Sequence, residues 1–337
     1  MVKKEKILLF VILLLCFYLL YILLKFTQTE KEKKYNVILI TIESLRADHL
    51  PCYGYKRDTA PNICSLAEGG VLFENAYSQG SHMRMSIPSL LTSLPPSSVG
   101  LENWTFSIPD NIETFPEILK RENYMTITNQ KKSNFQKGFT KIINISDFEF
   151  PKNKFLVWFS FEENPHFPYA PTQEYRIWDN VSLNQTQLSL PNTQKELLKK
   201  INVQDLIDLY DEEILEVDYE IKNFILKLKT ENIYNNSMII ITADHGEAFG
   251  EHGHFGYGGQ PFEELIHIPL IIKFPENGYA DKRVGQPVRL IDIGPTIYDV
   301  LNLKETPEIF GTSLISAIKD KDLNLIIFSA GSPGNEA

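Results

Sequence analysis

Ser237-Met-Ile-Ile-Ile-Thr-Ala-Asp-His-Gly-Glu247 is an apolar, β-branched run that ends in an acid and an imidazole. The run has the composition of a strand buried on both faces. Asp244 and His245 at its tip, followed by Gly246, form a natural pair of metal ligands. An ordinary strand-to-loop turn uses the same letters, so a second element is needed to decide. Asn36-Val-Ile-Leu-Ile-Thr-Ile42 supplies it: a second buried strand, followed at once by Glu43. In open α/β sheets ligands gather outside the carboxyl ends of strands. Glu43, Asp244 and His245 are therefore expected to face one crevice and to hold one divalent metal ion.

Further strands are expected at 124–128, 154–161, 269–274 and 324–328. Between them lie helical stretches. In 203–229 the residues Ile207, Tyr210, Ile214, Val217, Ile221, Phe224 and Leu228 recur at spacings of three and four, one apolar face of a helix. That helix is expected to pack on the sheet and to do no chemistry. A shorter helix is expected at 291–302. Strands alternating with helices predict an α/β fold with a mostly parallel sheet.

The 337 residues carry a net charge of −10, with acids spread along the chain and no basic patch with interleaved aromatics, which argues against a nucleic-acid partner. Residues 7–24 are unbroken apolar sequence between Lys6 and Lys25. As a helix they would reach about 27 Å, close to the apolar thickness of a bilayer. No small-x-small cleavage site follows, so the expectation is one transmembrane anchor over 7–25, preceded by a tail at 1–6. A polar tether spans 26–34 and the globular part begins at Tyr35. Lysines flank the span on both sides and give no orientation. The acceptor triplets at Asn103, Asn144, Asn180, Asn184 and Asn235 fit an exterior domain. Of three cysteines, Cys16 lies in the apolar span; Cys52 and Cys64 either pair or remain buried thiols.

Several blocks stand in a telling order: Asn36 to Leu50 followed by Cys52-Tyr-Gly-Tyr, Ala60-Pro-Asn62, Gly70 to Ser78, Ser89-Leu-Leu-Thr-Ser-Leu-Pro-Pro-Ser-Ser98, Asn164-Pro-His166-Phe-Pro-Tyr169, Asp244 to Gly256, and Glu263 to Leu270. From about 35 to 315 the chain resembles the sulfatase family of the alkaline phosphatase superfamily. The resemblance implies an alkaline phosphatase-like, sulfatase-type three-layer sandwich over 35–337. It implies a metal-dependent enzyme acting on sulfate or phosphate esters, with a sulfated or phosphorylated glycan or lipid as substrate. Glu43 falls at the first metal carboxylate of that family, and Asp244 and His245 fall on its later metal pair. This ligand set is closer to the membrane branch that transfers phosphoethanolamine or phosphoglycerol. An imidazole ligand favours zinc or manganese over calcium or magnesium. Family habit places the catalytic domain outside the cell at the membrane. Family members usually continue into a small antiparallel subdomain, and none is expected within residues 35–337.

Anchored on Ser89-Leu-Leu-Thr92, the nucleophile of the family falls on Met83, a thioether that cannot become an alkoxide. Ser86 is the nearest substitute, although Pro88 would fit a first helical turn and make Ser86 or Ile87 a cap. Ser81 is a weaker substitute, and the arginine of the family falls on Ile87. Two family histidines fall on Phe161 and Tyr257. His166 and His254 remain to ligate metal, bind an anionic oxygen or protonate a leaving group. His49, His82, His252 and His267 read as surface or structural. Three functions follow: ester hydrolysis, head-group transfer onto lipid or glycan, and metal-dependent binding without catalysis.

Overall fold

The computed structural model describes residues 13–19, 35–100, 107–162, 165, 167–178, 202–303, 306–319 and 325–331. Two compact units result, residues 1–34 and 35–337. In the first, residues 13–19 are helical and exposed. The rest of the expected span at 7–25 lies outside the described residues. Among the described residues no helix is long and apolar enough to cross a membrane, so the fold gives the anchor no support.

The second unit is built on a sheet of β1 (Asn36–Ile42), β2 (Val71–Tyr77), β3 (Met125–Thr128), β4 (Lys141–Ile142), β5 (Phe155–Phe161), β6 (Ser237–Ala243), β9 (His267–Lys273), β10 (Lys282–Val284) and β11 (Val288–Arg289). A separate ribbon pairs β7 (Ala248–Phe249) with β8 (Phe255–Gly256). The sheet order is β10-β2-β9-β6-β1-β5-β3-β4, with β11 also on β2. β3, β5, β1 and β6 run parallel, whereas β9 is antiparallel to both β2 and β6. Every residue of β1 and of β6 is buried, as strands covered on both faces require. The fold is thus the expected α/β one with a mostly parallel central sheet. Over its described residues, 325–328, the strand expected at 324–328 does not form. Residues 325–329 carry no regular structure, and pairing there is limited to one bridge between Gly80 and Ala330.

The long helix runs Val203–Thr230 and the shorter one Ile293–Val300. The long helix buries Tyr210, Ile214, Val217, Ile221 and Leu228 as its spacing predicts. It also buries acids that the spacing does not flag. Asp218 accepts the amides of Asn62 and Ile63 at the start of the Pro61–Glu68 helix. Asp211, fully buried, meets His49 Nδ1 at 2.7 Å, the Tyr55 hydroxyl at 2.6 Å and Arg57 at 2.7 Å. Asp211→Ala leaves these donors facing a void, and is expected to cost about 3 kcal/mol of stability, read as a lower denaturant midpoint at unchanged m.

Cys52 and Cys64 form a disulfide, which decides between the two readings left by the sequence. Of the glycosylation acceptors, Asn144 and Asn235 are exposed. Asn103, Asn180 and Asn184 lie outside the described residues.

Candidate metal and ester site

Four neighbouring parallel strands deliver their carboxyl ends to one place. In the β1–β6 register Ile42 stands opposite Ala243, so Glu43 and Asp244 leave adjacent strands side by side. β5 ends at Phe161, whose carbonyl accepts the Glu43 amide at 2.9 Å, and Glu162 follows. β3 ends at Thr128, and the chain beyond it returns as far as Lys132.

Asp244 is held by its surroundings. Its Oδ1 accepts the amides of Ser44 at 3.3 Å and His245 at 3.0 Å. Ser44 adopts φ of 58°, a left-handed turn that lets the chain leave the strand sharply. Behind the pair Gly246 passes so close to Glu264 that a Cβ would lie 2.1 Å from its carbonyl oxygen. That contact explains the glycine in Asp-His-Gly.

His245 is fully buried, and its Nδ1 lies 2.9 Å from the Gly246 carbonyl. The carbonyl accepts, so Nδ1 carries the proton and Nε2 presents its lone pair. Burial pulls the imidazole down to about 4, so the ring is neutral at physiological pH. Nε2 is buried without a hydrogen-bond partner and lies 3.3 Å from Asp244 Oδ2. Two lone pairs facing each other out of water repel unless a cation sits between them. Ligand bonds of about 2.0–2.1 Å at a tetrahedral angle place two donor atoms about 3.3 Å apart. The pair therefore fits a divalent cation.

The neighbouring acids need positive charge too. Burial, and then Asp244, pushes Glu43 well above the usual carboxylate range. Burial likewise raises Asp244, against the hydrogen bonds it accepts. Glu247, beside Ser44 and Tyr169, is pushed up to about 7 by burial, and its Oε2 has no hydrogen-bond partner. Among the described residues, however, no three His, Cys, Asp or Glu side chains converge into a ready metal cage. The expected ligands Glu43, Asp244 and His245 come to one crevice, where Asp244 meets His245 at 3.3 Å and interacts with the Glu43 carboxylate.

These shifts give a pH dependence. Well above pH 6.5 His245 is neutral in both folded and unfolded chains, so within the site the acids set the pH dependence. Their raised values mean that the folded, metal-free protein holds protons the unfolded chain has lost, so stability falls as pH rises. Melts in chelator are expected to show a lower Tm at pH 8.5 than at 6.5, and saturating manganese is expected to narrow that gap.

Lys132 is the counter-charge that the sequence does not reveal. Its ammonium lies 3.3 Å from Glu162 Oε2 and 2.9 Å from Met83 Sδ, and it acts on Glu43. Glu162 in turn acts on Glu43 and Asp244 and accepts a hydrogen bond from Gln130.

Met83 opens the Met83–Thr92 helix and is buried. The cap is His82, not Ser86 or Ile87, so the cap reading of Ser86 needs correction. Ser86 lies in the second turn, fully buried, its hydroxyl donating to the His82 carbonyl at 3.3 Å. That is the usual back-bond of a helical serine. His254 lies against Gly259, with Nε2 buried and without a hydrogen-bond partner. His166 lies outside the described residues. Tyr257, at a lost family histidine, sets its ring 5.0 Å from that of His245.

The Sulfatase family model matches residues 35–155 and 139–303. The chain belongs to the sulfatase family. Sulfatase-family enzymes generally use a divalent metal, in keeping with the buried Asp244–His245 pair. An ulvan-active sulfatase of Formosa agariphila is 22% identical over 90% of this family member and 58% of its own length. The phosphatidylethanolamine transferase Mcr-1 of Escherichia coli is 25% identical over 69% of this chain and 46% of that protein. The chain thus spans about half the length of either relative. Phosphonate monoester hydrolase of Agrobacterium radiobacter shares the fold with a TM-score of 0.69 at 16% identity, over 86% of this chain and 78% of its own.

Proposed function

We propose that this sulfatase-family chain is a metal-dependent hydrolase of sulfate or phosphate esters. The observation that carries the reading is the buried contact of His245 Nε2 with Asp244 Oδ2 at the carboxyl end of β6, beside Glu43 at the end of parallel β1. Glu43, Asp244 and His245 would hold one divalent cation, with zinc or manganese suited to an imidazole and two carboxylates. When bound, the cation supplies positive charge to the non-bridging oxygens of the ester. With a thioether at 83 and the Ser86 hydroxyl engaged, the attacking oxygen is that of water. Glu162, held by Lys132 beside Glu43 and Asp244, is placed to take its proton. The new bond forms to sulfur or phosphorus, the bond to the alcohol oxygen breaks, and that oxygen takes up a proton. His166 and His254 are the donors the sequence offers for it.

The substrate proposed is a sulfated or phosphorylated glycan or lipid, in line with an ulvan-active sulfatase and a phosphatidylethanolamine transferase among the relatives. The Cys52–Cys64 disulfide supports an exterior compartment, as do the acceptor triplets, and the apolar run at 7–24 supports attachment to the cell membrane. The transferase reading has the Glu/His ligand set in its favour and the missing hydroxyl at 83 against it.

Met83 itself favours a second reading, metal-dependent binding of the ester without turnover. Turnover of aryl sulfate and aryl phosphate with zinc or manganese separates the two. Hydrolysis that is unchanged in Ser86→Ala is expected. Metal-dependent binding of these esters without product establishes the second reading, and absence of both sinks each of them.

A further inference from the structure

A second group of residues reaches the carboxyl edge of the sheet and takes no part in the ester site. β3 and β4 run parallel, with Thr128 opposite Ile142. The chain after β3 and the chain after β4 therefore leave the sheet side by side, at the edge where ligands gather. Between them lies a cavity of about 260 Å³ lined by Asn129, Lys131, Ile142, Ile143, Asn144 and Asp147. Pockets for drug-sized ligands run to roughly 300–1,000 Å³, so this one suits a single small ring.

Its distance from the metal pair follows from the sheet order, in which β1, β5, β3 and β4 are consecutive. Strands lie about 4.8 Å apart, so the cavity opens roughly 10–15 Å from the end of β1, where Glu43 stands. Asn129 fixes that spacing. Its Nδ2 donates to the Ser160 carbonyl and its Oδ1 accepts the Ser160 amide, both at 2.8 Å, which ties the cavity wall to β5 just before Glu162. A short oligosaccharide spans the distance; a monosaccharide ester does not.

The lining indicates the occupant. Lys131 is exposed and forms no ion pair among the described residues. Asn144 donates to Asp147 at 3.1 Å, and Asp147 also accepts the Ser146 hydroxyl at 3.1 Å. The lining thus carries one cation and one anion, and does not favour a second anionic group. Donors beside acceptors suit hydroxyls, which act as both. Ile142, 52% exposed, offers an apolar surface to the C–H face of a ring. A lipid acyl chain would cover the polar groups without bonding them.

We propose that this cavity is a subsite for an uncharged sugar ring, flanking a sulfated or phosphorylated unit held at the Asp244–His245 cation. The subsite rests on the ester function proposed above and narrows its substrate from glycan or lipid to glycan.

Titrations of the manganese-loaded full chain test it. The probes are sulfated galactose against a carrageenan tetrasaccharide, and sulfated glucose against cellotetraose sulfated on its terminal ring. In at least one series the tetrasaccharide is expected to bind about tenfold more tightly than the monosaccharide, the effect of an added hydrogen bond or two. The gain is expected to persist at raised salt, because the added ring is uncharged. It is expected to vanish when Lys131→Ala is combined with Ile142→Asp, both exposed positions, with Tm unchanged. A tetrasaccharide no tighter than its monosaccharide in both series, or a gain lost at raised salt or untouched by the double variant, overturns the subsite while monosaccharide binding upholds the ester site. Protein that takes up manganese but binds none of the four sugars overturns both. Vesicles of phosphatidylethanolamine form the lipid arm: binding shown by wild type and lost in the double variant gives the cavity to lipid and overturns the choice of glycan.

Discussion

Met83→Thr is expected to raise kcat/KM toward an aryl phosphate or aryl sulfate by about 100-fold or more in the metal-loaded protein. The side chain at 83 is the first residue of its helix, is 6% exposed, and packs its sulfur 2.9 Å from the Lys132 ammonium. Threonine puts a hydroxyl beside that ammonium and next to the acids that gather the cation. A hydroxyl there is a covalent nucleophile, which splits one difficult displacement into two easier ones. Lys132 favours its ionised form, as an adjacent positive charge does for any developing oxyanion. Threonine is smaller than methionine, so a cavity costs stability by about 1–3 kcal/mol without overpacking the site. A pre-steady-state burst of alcohol product, with substrate in excess, would accompany the gain. An unchanged rate, in a variant that binds manganese like wild type, would mean that position 83 does not face the reacting centre.

Asp244→Asn is expected to act in opposite directions on two measurements. The amide oxygen can still accept from Ser44 and His245, so the turn after β6 persists. The buried negative charge is removed, and with it repulsion toward Glu43. In chelator the variant is therefore expected to melt above wild type, since burial penalises the charged form. Its metal affinity is expected to fall by about 100-fold or more, because a neutral amide replaces an anionic ligand. A variant less stable than wild type in chelator, with unaltered metal affinity, would assign Asp244 a purely structural role. No structural reason other than cation binding predicts gain on one axis and loss on the other.

The two strands that frame the site were legible because their composition is extreme. An all-buried parallel strand has to be apolar throughout, and an acid at its tip then stands out. Glu43, Asp244 and His245 could be placed together from that pattern. Lys132 and Glu162 could not. Their arrival depends on β3 lying beside β5 and β5 beside β1, a lateral order set by contacts far apart in sequence. The contact of Lys132 with Met83 spans 49 positions and has no local signature. The direction of β9 was equally hidden, since an apolar run reads the same both ways.

Ser86 was misplaced for a local reason. Pro88 suits the first turn of a helix, and that reading put the cap too late. In the structure His82 caps a helix that begins at Met83 and carries Pro88 inside it. The bond missing there is to the carbonyl of Arg84, an exposed residue. Thr92 Oγ1 donates to the Pro88 carbonyl at 2.7 Å, which holds the following turn. The same shift hid His82, because a histidine beside a methionine carries no motif until the helix start is known.

The central claim concerns occupancy by a cation. The purified chain, dialysed against zinc or manganese, would be assayed for bound metal and crystallised for anomalous diffraction at the edge of that metal. The account predicts one equivalent, with a single anomalous peak in contact with Asp244 Oδ2 and His245 Nε2 and with Glu43 drawn in. Protein that retains no cation, or a peak remote from the ends of β1 and β6, would contradict it.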